Sequence, residues 1–128
     1  MVVTHPVNFF AGWSMVLMAF ITGAGIGLFF HRPEFWGGYA SFRRRIVRLG
    51  HIALAALGMM NVLFALCPWP AAGTWIGQGA SWCFIVGGAS MPAVCFLCGW
   101  DERMRAWFAV PVVALILAVV LTLCGGAR

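Results

Sequence analysis

HRPEFWGGYASFRRRIVR, residues 31–48, decides how the rest of the chain is read. It carries Arg32, Arg43, Arg44, Arg45 and Arg48, five of the eight basic residues, and Glu34. A second charged stretch, Asp101-Glu102-Arg103-Met104-Arg105, holds every other charge except Arg128. The segments around these two stretches are long and apolar, and the connection from Cys67 to Ser81 has no charge at all. Charge confined to alternate connections between hydrophobic tracts is the pattern of a polytopic membrane protein.

The composition agrees. Of the 128 residues, 63% are hydrophobic and only 9% charged, whereas a soluble domain is roughly a quarter charged. There are too few polar side chains to coat a water-soluble core, and the length supports one domain, residues 1–128. The formal charge of +5 comes from arginines that flank apolar tracts. That placement is explained by topology and excludes a nucleic-acid partner from the reading. The N-terminus has no basic region followed by a short apolar run and a small-x-small site, so the first span is expected to serve as a permanent anchor.

A spanning helix needs about 20 mainly apolar residues. Four segments qualify: Asn8 to Phe30, Leu49 to Leu66, Gln78 to Cys98 and Ala106 to Cys124. Continuous apolar runs, without polar-apolar alternation, exclude an outer-membrane barrel. In hydrocarbon every backbone group must be paired internally, so the spans are helices. Pro92 is expected to kink the third, and Pro111 lies near the start of the fourth. The expected fold is an all-α membrane protein with four transmembrane helices in an antiparallel bundle. The positive-inside rule puts the two Arg-bearing connections in the cytoplasm and both termini outside, in a bacterial inner membrane. Arg43, Arg44, Arg45 and Arg48 supply most of that bias and are expected to face lipid headgroups. The interleaved Phe35, Trp36, Tyr39 and Phe42 should lie below them, with Gly37-Gly38 as a bend.

The few polar groups within the tracts define the candidate sites. Gly23, Gly27 and His31 follow one another at helical spacing, and Gly23 and Gly27 form a GxxxG pair. His51, Ala55 and Gly58 share a face of the second span. One reading makes these small residues helix-packing surfaces, with Asn61 as an interhelical hydrogen-bonding group. The other makes His31 and His51 axial ligands of a haem b, with Arg48 nearby for a propionate, or makes His51 and Arg48 a quinone site. Bis-His ligation holds helices apart, whereas GxxxG packing draws them together, so the two readings compete. His5 reads as a surface residue.

Other chemistry has little material. Cys95-x-x-Cys98 closes a helix, where no positive helix end lowers a thiol pKa, and reads as two small hydrophobes. Cys67, Cys83 and Cys124 fall at the opposite ends of their tracts, and a Cys67–Cys83 disulfide is expected there. Met15, Met18, Met59, Met60 and Met91 are scattered, without the ladder that Cu(I) transfer would need. No Asp or Glu lies within a span, so there is no carboxylate relay or acid/base pair, and Asn61 and Thr22 are thin material for a transporter core. The expected function is therefore interaction: an accessory or assembly subunit of a larger membrane complex, possibly a respiratory one, bound to other membrane subunits or to itself. Electron transfer through haem b or quinone is the alternative, and a small transporter or channel the third.

Overall fold

The computed structural model describes residues 2–126. Its α-helices are α1 (Pro6–Phe30), α2 (Phe42–Leu66), α3 (Trp75–Trp100) and α4 (Ala109–Gly126), with 3-10 turns at Phe35–Gly37 and Glu102–Phe108. There is no strand among the described residues. All four helices are long and apolar enough to cross a membrane, the fourth counted with the 3-10 turns that precede it. Packing follows chain order: α1 lies on α2, α2 on α3 and α3 on α4, while α1 meets α3 over a shorter stretch.

The helix ends follow local chemistry. Pro6 starts α1, where its missing N–H loses no helical bond. Ser41 Oγ accepts from Arg44 N at 3.3 Å and starts α2, and Thr74 Oγ1 accepts from Gly77 N at 3.1 Å and starts α3. These caps explain why α2 begins at Phe42 and α3 at Trp75, earlier than the apolar runs alone suggest: helix continues through polar residues once its first N–H groups are satisfied. α4 begins later than expected. Pro111 cannot donate to the carbonyl of Trp107 and its ring crowds that carbonyl, so Glu102–Phe108 is wound as 3-10 helix and the α-helix starts at Ala109. Pro92 is buried, and α3 continues through it.

Three apolar clusters fill the contacts. Ile46, Val47, Val94, Cys95 and Cys98 pack at the Arg-rich end. Met15, Ala19 and Leu54 join α1 to α2, and Phe64, Ala80, Phe84 and Ala118 pack at the Pro/Trp-rich end. Cys95 and Cys98 are thus core residues. All five cysteines are free. The expected Cys67–Cys83 bond is not formed: Cys67 lies in extended chain beyond α2, and Cys83 packs with the cluster that faces α4.

Two devices hold α1 to α2 at their ends. At the Pro/Trp-rich end, Thr4 N and His5 N donate to Ala65 O at 2.9 and 3.2 Å. Thr4 Oγ1 also donates to Cys67 O at 2.6 Å. His5 is a correction to the surface reading. It is 5% exposed, its Nε2 is 3.0 Å from Pro70 O, and its ring lies 4.4 Å from that of Phe64. The chain before α1 is drawn in because the last carbonyls of α2 need donors.

Arg44 is the second device and the second correction. It does not face headgroups but is 2% exposed. Its guanidinium donates to the carbonyls of Phe30, Arg32 (3.4 Å) and Pro33 (3.2 Å) and lies 4.6 Å over the Phe30 ring. The carbonyls lie at and beyond the C-terminus of α1, where a cation is favoured by the helix dipole; Arg32 O also accepts from Phe35 N at 3.2 Å, whereas Phe30 O and Pro33 O take their donor from Arg44. Only Arg has the planar fork to reach several carbonyls at once. Replacing Arg44 with Met leaves the Phe30 and Pro33 carbonyls without a donor and should cost on the order of 2–4 kcal/mol, read as a lower thermal midpoint in detergent. Arg44→Lys should recover less than half of that loss, and a midpoint unchanged in both variants would refute the clamp.

Candidate functional site

The interior polar groups form two sites, one at each end of the α1–α2 contact. Nearer the Pro/Trp-rich end, Asn8 of α1 and Asn61 of α2 are both buried, at 0% and 1% exposure. Asn8 Nδ2 donates to Asn61 Oδ1 at 2.9 Å and to Ser81 O at 3.1 Å, and Ser81 Oγ donates to Asn8 Oδ1. Asn61 Nδ2 donates to Leu57 O at 3.0 Å and to Phe84 O at 3.1 Å. Every donor and acceptor of the two amides has a partner, so the knot ties three helices without leaving a group for a substrate. Asn61 hydrogen-bonds across to α3. Its acceptor there is Phe84 O and not Gly88 O, the carbonyl freed by Pro92. Asn8 and Ser81 were not singled out from the sequence, because each sits near the start of an apolar tract, where a polar residue reads as a boundary.

Between the two sites α1 and α2 come closest at Gly12 and Gly58. A Cβ at Gly12 would fall 2.6 Å from Gly58 O, and one at Gly58 would fall 2.9 Å from Gly12 O. Backbone meets backbone here, as in small-residue packing of membrane helices. The GxxxG pair expected to do this is divided. Gly23 faces the His51 ring, with a Cβ there 2.9 Å from Cε1, and Gly27 has nothing within 4 Å.

The second site is His51. Its Nδ1 is 3.2 Å from Thr22 Oγ1. The Thr22 hydroxyl is 2.8 Å from Met18 O and 3.1 Å from Ala19 O, the helical carbonyls that take its proton. Thr22 therefore accepts from Nδ1–H, and in the neutral ring Nε2 carries the lone pair. Among the described residues Nε2 has no partner, and it is accessible, opening on a groove of about 390 Å³ between α1 and α2, lined by Val16, Ala19, Phe20, Gly23, Ala24 and Ala55.

His31 lies elsewhere. It caps the end of α1 and is exposed. Eight residues separate it from Gly23, about 12 Å of helix rise, so His31 and His51 do not face each other at one level. Arg48 is one turn from His51 on α2, but its guanidinium lies 4.6 Å over the Tyr39 ring. Arg43 and Arg45 are exposed. The loop aromatics fold back on the helix ends: Phe35 stacks on Trp36 at 5.0 Å and on Phe29 at 5.6 Å, and Trp36 meets Trp100 edge-on at 5.7 Å. Trp36, Gly37 and Gly38 all have positive φ, the glycines at no steric cost. Among the described residues no three His, Cys, Asp or Glu side chains come together as a metal site.

Comparison with protein-family models, with curated proteins and with solved structures gives no match. The chemistry of the two sites is therefore read from their geometry alone. If the amide knot acts as a unit, Asn8→Ala and Asn61→Ala should each lower stability by about 1–2 kcal/mol. A double-mutant cycle in detergent should give a coupling near 1 kcal/mol; strictly additive losses would show that the two amides act separately.

Proposed function

We propose that this protein is a small accessory or assembly subunit of a larger membrane complex in a bacterial inner membrane, possibly a respiratory one. In this reading the four helices cross the bilayer as an antiparallel bundle. The Arg-bearing connections lie in the cytoplasm, where lipid phosphates meet Arg43 and Arg45, and both termini lie outside.

One observation carries the functional reading: the buried amides and Arg44 serve helix-to-helix contacts within the chain, while α1 and α4 turn mostly apolar surfaces outward. A transporter keeps polar groups along a path at mid-membrane; here they are tied up in packing. An enzyme needs an acid, base or nucleophile with access to substrate, and the amide knot offers none. What remains outward is apolar surface, with an open patch at Gly27 beside the exposed Ala24 and Leu28 on α1. Without a bulky side chain there, a helix of another subunit can approach the α1 backbone closely.

The division of the glycines gives the test. Gly27→Leu should leave the fold and thermal midpoint of the isolated protein unchanged and should abolish co-purification of its partner subunits from mild detergent. Gly12→Leu should instead unfold the α1–α2 contact, since a side chain at Gly12 meets Gly58 O. A Gly27→Leu protein that retains all its companions would overturn the interaction surface on α1.

A further inference from the structure

A nitrogen lone pair facing a groove between membrane helices is costly to leave alone. Water is scarce at that depth, and an unmet acceptor loses on the order of 1–3 kcal/mol. His51 lies one turn, about 4.5 Å of rise, further along α2 than Arg48, on the side away from the headgroups in the membrane placement proposed above. A partner for Nε2 must therefore come from the lipid phase, and it must donate a proton. The larger groove between α3 and α4, about 510 Å³ against Trp82, Val86, Val110 and Val113, has no such polar handle and suits acyl chains.

The walls of the His51 groove describe the rest of that partner. Ala19, Gly23 and Ala24 on α1 and Ala55 on α2 are all small, so a flat ring can lie against the helices. Phe20 adds an aromatic face. The volume, about 390 Å³, falls within the range of small-molecule sites, about 300–1,000 Å³. Phe20 and Ala24 in its wall are exposed, which leaves a way out for a hydrocarbon tail. A planar ring bearing a hydroxyl donor and a long tail is a lipid-soluble quinol.

We infer that the α1–α2 groove binds the head of a lipid-soluble quinol, whose hydroxyl donates to His51 Nε2. Thr22 is a positioning residue: by accepting from Nδ1–H it keeps Nε2 free to accept. The reduced form is selected, because its O–H pairs with the lone pair, whereas the carbonyl of the oxidised quinone meets it acceptor to acceptor. The inference rests on the membrane placement but not on the subunit assignment, so failure to bind quinol leaves the Gly27 result standing.

The test uses the full chain in lipid nanodiscs, titrated with a decyl-tailed benzoquinol and, separately, with the matching benzoquinone. Bound ligand is counted after rapid isolation and corrected for ligand dissolved in empty discs. Saturable binding of about one quinol per chain is expected, with the quinone weaker by about tenfold. His51→Phe keeps a ring on Gly23 but removes the nitrogens, and should weaken quinol binding at least tenfold. Ala24→Leu fills the groove without touching a polar group and should abolish binding. Since Ala24 is exposed, its variant folds and serves as the control should His51→Phe misfold. Thr22→Val should narrow the preference for quinol over quinone. Binding no greater than in empty discs, equal binding by Ala24→Leu, or tighter binding of the quinone would overturn the inference. So would a sterol or phospholipid recovered at one per chain from the wild type and lost in Ala24→Leu, because it would show another lipid to be the occupant.

Discussion

A helix end beside hydrocarbon cannot leave its last carbonyls to water, and the arrangement of α1 and α2 follows from how that need is met. Thr4 and His5, just before α1, supply donors to Ala65 O and Cys67 O at the end of α2. Arg44, in the first turn of α2, supplies a guanidinium to the carbonyls at the end of α1. Each helix is thus closed by residues at the beginning of the other. The two closures fix the relative height of α1 and α2, and that height puts Gly12 opposite Gly58 and His51 opposite Gly23. The Asn8–Asn61–Ser81 knot then extends the same register to α3.

The cost of unpaired polar groups in a low-dielectric setting also explains where the polar side chains point. The amides and the buried guanidinium look inward, and the outward faces of α1 and α4 are left apolar. His51 is the exception: Thr22 orients it, but its second nitrogen has no partner among the described residues.

Helix content, the number of long apolar helices and the grouping of charge were legible because they depend on composition over long windows. Residues whose role depends on a single distant partner were not. Arg44 sits between Arg43 and Arg45 and looks the same on any charge count; only the fold places its head under Phe30, while its neighbours stay exposed. His5 and Asn8 stand near the start of an apolar tract, where a polar residue is unremarkable until a second helix end is seen beside it. Gly12 belongs to no repeated spacing, so its backbone contact with Gly58 was not legible, whereas the GxxxG pair at Gly23 and Gly27 stood out. Asn61 was recognisable because it interrupts an apolar run, and an interhelical bond is the usual answer to that placement. His51 was recognisable as polar, but its pairing with Thr22 depends on the height of one helix against the other.

In the proposed placement four helices cross the bilayer with the Arg-bearing connections on the cytoplasmic side. Reporter domains inserted after Gly38, after Trp75 and after Glu102, and fused to the C-terminus, measure this directly. Cytoplasm, outside, cytoplasm and outside are expected in that order. A C-terminal reporter in the cytoplasm, or a Trp75 reporter on the same side as the Gly38 one, would contradict it.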